Sequence, residues 1–113
     1  MPPIKNISAE TLKNWLREKK AILIDVREKV EYDAEHIKGS IFLPLSQFES
    51  ENVPMDANKC IVFHCRSGTR SQKACQVFLQ DFNQFEAYNL EGGILSWMNS
   101  GFPVEKGPQT ELS

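Results

Sequence analysis

The sequence has no long apolar run, no marked excess of charge and few cysteines. No stretch approaches the ~18 consecutive apolar residues that suggest a membrane span, so no membrane contact by this chain is expected. The start, Met1-Pro-Pro-Ile-Lys5, lacks the apolar segment of a secretory signal. A net charge of -2 gives no general pull towards nucleic acid or an anionic surface. Three cysteines, an odd number at irregular spacing, do not form a secreted disulfide framework and suit a reducing compartment. The expected location is the cytoplasm, with the chain alone or as the cytoplasmic domain of a longer membrane-anchored protein. Internal repeats and low-complexity blocks are also missing. At 113 residues the chain fits one domain. We place it at residues 1–105, with 106–113 as a polar tail or the start of a linker.

What is present is an alternation of strand-like and helix-like segments. Ile4 to Asn6 reads as a short strand. Ser8 reads as an N-cap, followed by Leu12, Trp15 and Leu16 at the spacing of an amphipathic helix over 9–18. Ala21 to Val26 and Cys60 to His64 are compact, β-branched runs, as expected of buried strands. Short helices are expected over 28–34, 46–51 and 94–99, and a longer one over 71–81. Further strands are expected over 41–43 and 85–88. This order predicts an α/β fold built on a largely parallel sheet. Ligands of such sheets bind beyond the carboxyl ends of the strands. Two polar clusters fall there, Asp25-Val-Arg27 and His64-Cys-Arg-Ser-Gly-Thr-Arg70.

Cys65 follows a buried strand and precedes a helix by a short loop. Arg66, Ser67, Gly68 and Thr69 are mostly small, and such a loop can turn successive backbone N–H groups inward as an anion nest. The helix dipole and the charges of Arg66 and Arg70 add to this. All of these favour thiolate over thiol, so the Cys65 pKa is expected to lie below that of a free cysteine. A metal site is not expected: along a strand Cys60 and His64 would stand ~13 Å apart, from ~3.3 Å per residue, too far to share one zinc. His64 is expected to be a buried scaffold residue, because neighbouring strand side chains face opposite ways.

These residues carry a resemblance. His64-Cys65-Arg66-Ser67-Gly68-Thr69-Arg70-Ser71 is similar to the active-site loop of the rhodanese family. Leu23-Ile-Asp-Val-Arg27, Glu31-Tyr32 and His36-Ile37-Lys38-Gly39-Ser40 resemble its first signature. Leu90-Glu-Gly-Gly93, Trp97 and Gly101-Phe-Pro-Val104 resemble its C-terminal one. Glu35 and Lys38 depart from the glycine and proline that the family often has there. The resemblance implies a central parallel sheet of about five strands with helices on both faces. It also implies a sulfurtransferase that moves a sulfane sulfur through a Cys65 persulfide. The donor would be a thiosulfate-like anion, and the acceptor a thiol, cyanide or another protein. Neither cofactor nor metal is implied. Cys65 would be catalytic, and Arg66, Ser67, Gly68, Thr69 and Arg70 would bind the donor.

Two other readings stand beside this one. Dual-specificity phosphatases of the same fold have five residues between the cysteine and arginine of their loop, whereas Cys65 and Arg70 have four between them. One residue fewer shortens the cradle by up to ~3.5 Å of chain, which suits a sulfur atom better than a phosphoryl group. A protein sulfur-relay or sensing module would use the same cysteine. Asp25 and Arg27 are expected to be supporting residues, with Asp25 fixing Arg70 or a loop N–H and Arg27 acting as an ion-pair partner. Cys60 and Cys75 are expected to pack in the interior. Phe42, Phe48 and Phe102 are candidates for the pocket mouth.

Overall fold

The two most apolar segments become the middle of the sheet. In the structure, a computed structural model that describes residues 4–107, Ala21–Asp25 (β2) and Cys60–His64 (β4) lie side by side and parallel over their full lengths, with Asp25 opposite His64. Being interior strands, they are covered on both faces. Their alternate residues therefore supply two separate cores. Ile24, Ile61 and Phe63 face Ala74, Cys75, Phe78 and Leu79 of the long helix Thr69–Asp81 (α3). Leu23 and Val62 face Leu12 of Ala9–Arg17 (α1) together with Ile94 and Trp97 of Gly93–Asn99 (α4). Helices thus cover both faces of the sheet, as expected.

Lys5–Ile7 (β1), Ile41–Phe42 (β3) and Ala87–Leu90 (β5) complete a parallel sheet of order β1-β5-β4-β2-β3 among the described residues. From β2 the chain moves outward to β3, and from β4 it moves outward the other way to β5. The carboxyl ends of β2 and β4 therefore border the point where the winding reverses, the place where such sheets leave a crevice. Asp25 and Cys65 stand at its two sides.

Local chemistry explains most of the element ends. The Ser8 hydroxyl accepts from the Thr11 N–H at 3.1 Å, capping α1. The helix Lys29–Ala34 (α2) starts with the Glu28 N–H donating to Glu31 Oε1 at 3.0 Å. Several expectations shift. The segment expected as a helix over 46–51 is two 3₁₀ turns, Leu45–Gln47 and Ser50–Asn52. The last strand begins at Ala87 rather than Phe85, because Phe85 closes a turn on Phe82 and packs on Phe78. α3 starts at Thr69, two residues earlier than its apolar spacing suggests. The end of the domain and the start of the expected tail are both tied down: Glu105 and His36 exchange two backbone hydrogen bonds of 2.8 Å, and the Gly107 N–H donates to Asp33 O at 2.7 Å. Residues 108–113 of the expected tail lie outside the described residues.

Arg27 is buried among these elements, 2% exposed, and its charge is met by fully buried Asp25. Its Nε and Nη2 donate to the two carboxylate oxygens at 3.0 and 2.8 Å, and Nη2 also donates to Glu35 O at 2.7 Å. Removing one partner of such a pair strands the other charge in the interior. Asp25→Ala is expected to cost about 3–5 kcal/mol of unfolding free energy, read as a lower urea midpoint with unchanged slope.

Candidate active site

Cys65 is the first residue after β4, and its side chain turns into the short loop before α3. The Gly68 N–H donates to Cys65 Sγ at 3.1 Å, and the Ser71 hydroxyl lies 3.5 Å away. Burial alone raises the pKa of this thiol. The Ser71 hydroxyl and the backbone N–H groups of Ser71, Gly68 and Ser67 together outweigh it, so the net shift is downward. The sulfur thus meets one main-chain amide of the loop, that of Gly68, and the Ser71 hydroxyl. Ser71 was not among the candidate site residues, although it sits one helical turn from Gly68. Its hydroxyl also reaches Gly68 O and Asn89 Oδ1. With one proton to give, it serves one of these acceptors at a time. Asn89 is held in turn by donating to Asn6 Oδ1 at 3.1 Å. The signal for Asn89 was a lone amide within the otherwise apolar strand Ala87-Tyr-Asn-Leu90.

The loop owes its shape to α4. The Ile94 and Leu95 N–H groups, unpaired within their own helix, donate to the carbonyls of Cys65 and Arg66 at 2.9 and 3.2 Å. With those carbonyls held by α4, the loop curls so that the Gly68 N–H meets the sulfur. This approach is close enough to exclude a side chain at Gly93, which has φ +62°: a Cβ there would overlap the backbone of Arg66 and Cys65. Gly68, with φ +112°, makes the turn into α3.

The arginines take different positions. Arg70 does not reach Asp25, contrary to expectation. Its Nη1 and Nη2 donate to the two oxygens of Glu31 at 2.7 and 2.8 Å, a bidentate pair across the mouth. Asp25 is instead taken by Arg27, through its backbone N–H, Nε and Nη2. The hydrogen bonds from Arg70 hold the Glu31 carboxyl down at about 2. Arg70 also feels the charge of a Cys65 thiolate, which raises its own pKa after the larger contribution of Glu31. The Arg66 side chain is exposed, and its guanidinium has no ion-pair or hydrogen-bond partner among the described residues. Ser67 and Thr69 are also exposed.

The remaining candidates are scaffold. Fully buried His64 has Nδ1 3.3 Å from Cys65 O and Nε2 3.4 Å from Asp25 Oδ2, and burial lowers its pKa. His36 stacks on Tyr32 and bonds to Tyr32 O at 3.0 Å. Cys75 is buried, which pushes its thiol up to about 12. Cys60 is half-buried at the far end of β4. The phenylalanines do not line the mouth: Phe48 packs on Phe63, Phe102 on Trp97 and Phe42 on Tyr32.

Two measurements follow from this geometry. The rate of iodoacetamide labelling at Cys65 is expected to reach its plateau at lower pH than that of a free cysteine, because the thiolate forms earlier. Ser71→Ala is expected to move the inflection upward by removing one donor to the charged form. Gly93→Ala is expected to cost roughly 1–3 kcal/mol, from a left-handed non-glycine residue together with the overlap on the loop, measured by urea unfolding.

This geometry can be set beside known proteins. The family model described as "Rhodanese-like domain" matches residues 8–100. An uncharacterized protein of Synechocystis, slr1261, is 35% identical over 107 residues, 95% of this chain and 59% of that protein, so the chain spans under two-thirds of this relative's length. The putative sulfurtransferase YtwF of Bacillus subtilis is 34% identical over 83% of this chain and 90% of its own. The fold superposes on a thiosulfate sulfurtransferase of Pseudomonas aeruginosa with a TM-score of 0.83 at 23% identity, covering 94% of this chain and 21% of that one. With that family model matched over residues 8–100, most of its length, the chain belongs to the rhodanese-like family.

Proposed function

We propose that the protein moves a sulfane sulfur through a persulfide on Cys65. The observation that carries this reading is the meeting of the Gly68 N–H, at 3.1 Å, and the Ser71 hydroxyl, at 3.5 Å, on one sulfur atom. Such donors stabilise a nucleophilic thiolate and then the anion of the persulfide that replaces it. With thiosulfate as donor, the Cys65 thiolate attacks the outer sulfur. A new S–S bond forms as the old one breaks, and sulfite leaves with the bonding pair. Cyanide or a thiolate then attacks the outer sulfur of the persulfide, and the Cys65 thiolate is regenerated. The amides hold negative charge throughout, so the cycle needs no metal or organic cofactor. Arg66 and Arg70 would draw an anionic donor to the loop, with Ser67, Gly68 and Thr69 as its wall and Asp25 and Arg27 as the support beneath. We place the reaction in the cytoplasm, where the three free thiols would persist reduced; no helix among the described residues is long and apolar enough to cross a membrane.

The four-residue spacing between Cys65 and Arg70 favours this chemistry over phosphate ester hydrolysis. A relay to a protein acceptor, or a sensing role, would begin with the same persulfide. Treatment with thiosulfate followed by intact mass spectrometry is expected to show one added sulfur atom. Cyanide should remove it as thiocyanate, and Cys65→Ala should abolish the adduct. Turnover of an aryl phosphate without any sulfur adduct would overturn the proposal.

A further inference from the structure

Asn89 is a buried polar side chain on β5, 4% exposed, and its neighbours fix which way its amide points. In the parallel register of β1 and β5 it stands opposite Asn6. Its Nδ2 donates to Asn6 Oδ1 at 3.1 Å and to Gly68 O at 3.4 Å. Turning the amide over would set its oxygen against the Gly68 carbonyl, so Oδ1 is the atom that faces Ser71 Oγ. Asn89 therefore touches both residues that donate to Cys65 Sγ, Gly68 through its carbonyl and Ser71 through its hydroxyl.

The Ser71 hydroxyl has three acceptors within reach. Asn89 Oδ1 is the nearest, ahead of Gly68 O at 3.2 Å and Cys65 Sγ at 3.5 Å. Gly68 O is already served by the Gln72 N–H at 3.3 Å and by the Asn89 amide. The contest for the proton is thus between the amide oxygen and the sulfur. While Cys65 is a neutral thiol, every group in the row is satisfied: the S–H donates to Ser71 Oγ, and the Ser71 O–H donates to Asn89 Oδ1. When the thiol proton leaves, the charged sulfur becomes the stronger acceptor and the hydroxyl swings to it. Asn89 Oδ1 then keeps no other donor among the described residues. A buried oxygen without a donor opposes the ionisation that strands it.

We infer that Asn89 is a positioning residue for Cys65: it holds the Ser71 hydroxyl proton while the sulfur is a thiol, yields it when the sulfur turns negative, and so makes the thiol a weaker acid than its two donors alone would. The step is an ordinary ionisation. The thiol proton passes to water, and the Ser71 proton changes partner without leaving its oxygen. Asn89 acts through Ser71 and does not touch the reacting atom. Its bearing on turnover rests on the persulfide reading, whereas the contest for the proton stands apart from it.

The test is a double-mutant cycle on the pH dependence of iodoacetamide labelling at Cys65. Asn89→Leu keeps the bulk of the side chain and removes its polar atoms. Its shift of the inflection in the otherwise unaltered protein is expected to lie about one pH unit below its shift in a Ser71→Ala background, the scale of one hydrogen bond. In Ser71→Ala there is no hydroxyl to release, so Asn89→Leu reports only the loss of the Gly68 contact, and the cycle subtracts it. Asn89→Ala should show the same coupling and carries the test if the leucine variant does not fold. A side chain that merely packs moves the urea midpoint alike in both backgrounds and leaves the two inflection shifts equal. Equal shifts, or a coupling of opposite sign, would overturn the inference. With thiosulfate as donor and cyanide as acceptor, the acid limb of kcat/KM should move with the inflection. A thiosulfate adduct on Cys65 with no coupling would leave the persulfide reading intact and remove this one. Coupling without any adduct would do the reverse.

Discussion

The site depends on two backbone hydrogen bonds that never touch the sulfur. The first amides of α4 have no partners in their own helix, and they take the carbonyls of Cys65 and Arg66. A peptide unit is rigid, so fixing a carbonyl on one side fixes the direction of its N–H on the other. The start of the loop is therefore fixed, and the chain curls on from it until the Gly68 N–H meets Sγ. Gly93 lets the two backbones come within range, and the packing of Ile94 and Trp97 against Leu23 and Val62 keeps α4 where it is. The core on one face of the sheet thus holds the geometry of a nest on its rim.

Charge is then distributed in separate layers. Below the loop, Asp25 and Arg27 neutralise each other in the interior and bind Glu35 O, tying β2 to the end of α2. At the mouth, Glu31 does two jobs with one carboxylate: it accepts from the Glu28 N–H at the start of α2 and clamps Arg70 at the start of α3. The two helices that follow the central strands are therefore joined across the crevice by a single acidic side chain. The sulfur itself is left to neutral donors, whose strength depends little on salt.

Much of this arrangement is legible in the sequence because it follows from local periodicity. The apolar runs at 21–26 and 60–64 read as buried strands, and the spacing of Leu12, Trp15 and Leu16 places α1 within a residue or two. The cysteine loop is also visible, since polar residues between a buried strand and a helix have few other reasons to be there. The failures come where tertiary contacts decide. Phe85 has a strand-forming side chain, yet it is used to close a turn against Phe78 and Phe82. The partner of Arg70 lies 39 positions away, and nothing local separates Glu31 from Asp25 as the carboxylate it meets. Only the geometry of the Asp25–Arg27 pair shows that Asp25 is already taken. Asn89 joins the site for the same reason: it arrives on β5, from a part of the chain whose own pattern says only strand.

The Asn89 side chain has a consequence of its own. It bonds to Asn6 on the outermost strand with its amide nitrogen, and its oxygen competes for the single proton of the Ser71 hydroxyl. The buried sulfur is thereby connected to an exposed edge of the sheet through three side chains in series. A disturbance of β1, such as a neighbour pairing along that open edge, would reorient the amide, redirect the hydroxyl and change the electron density on a thiol it never contacts.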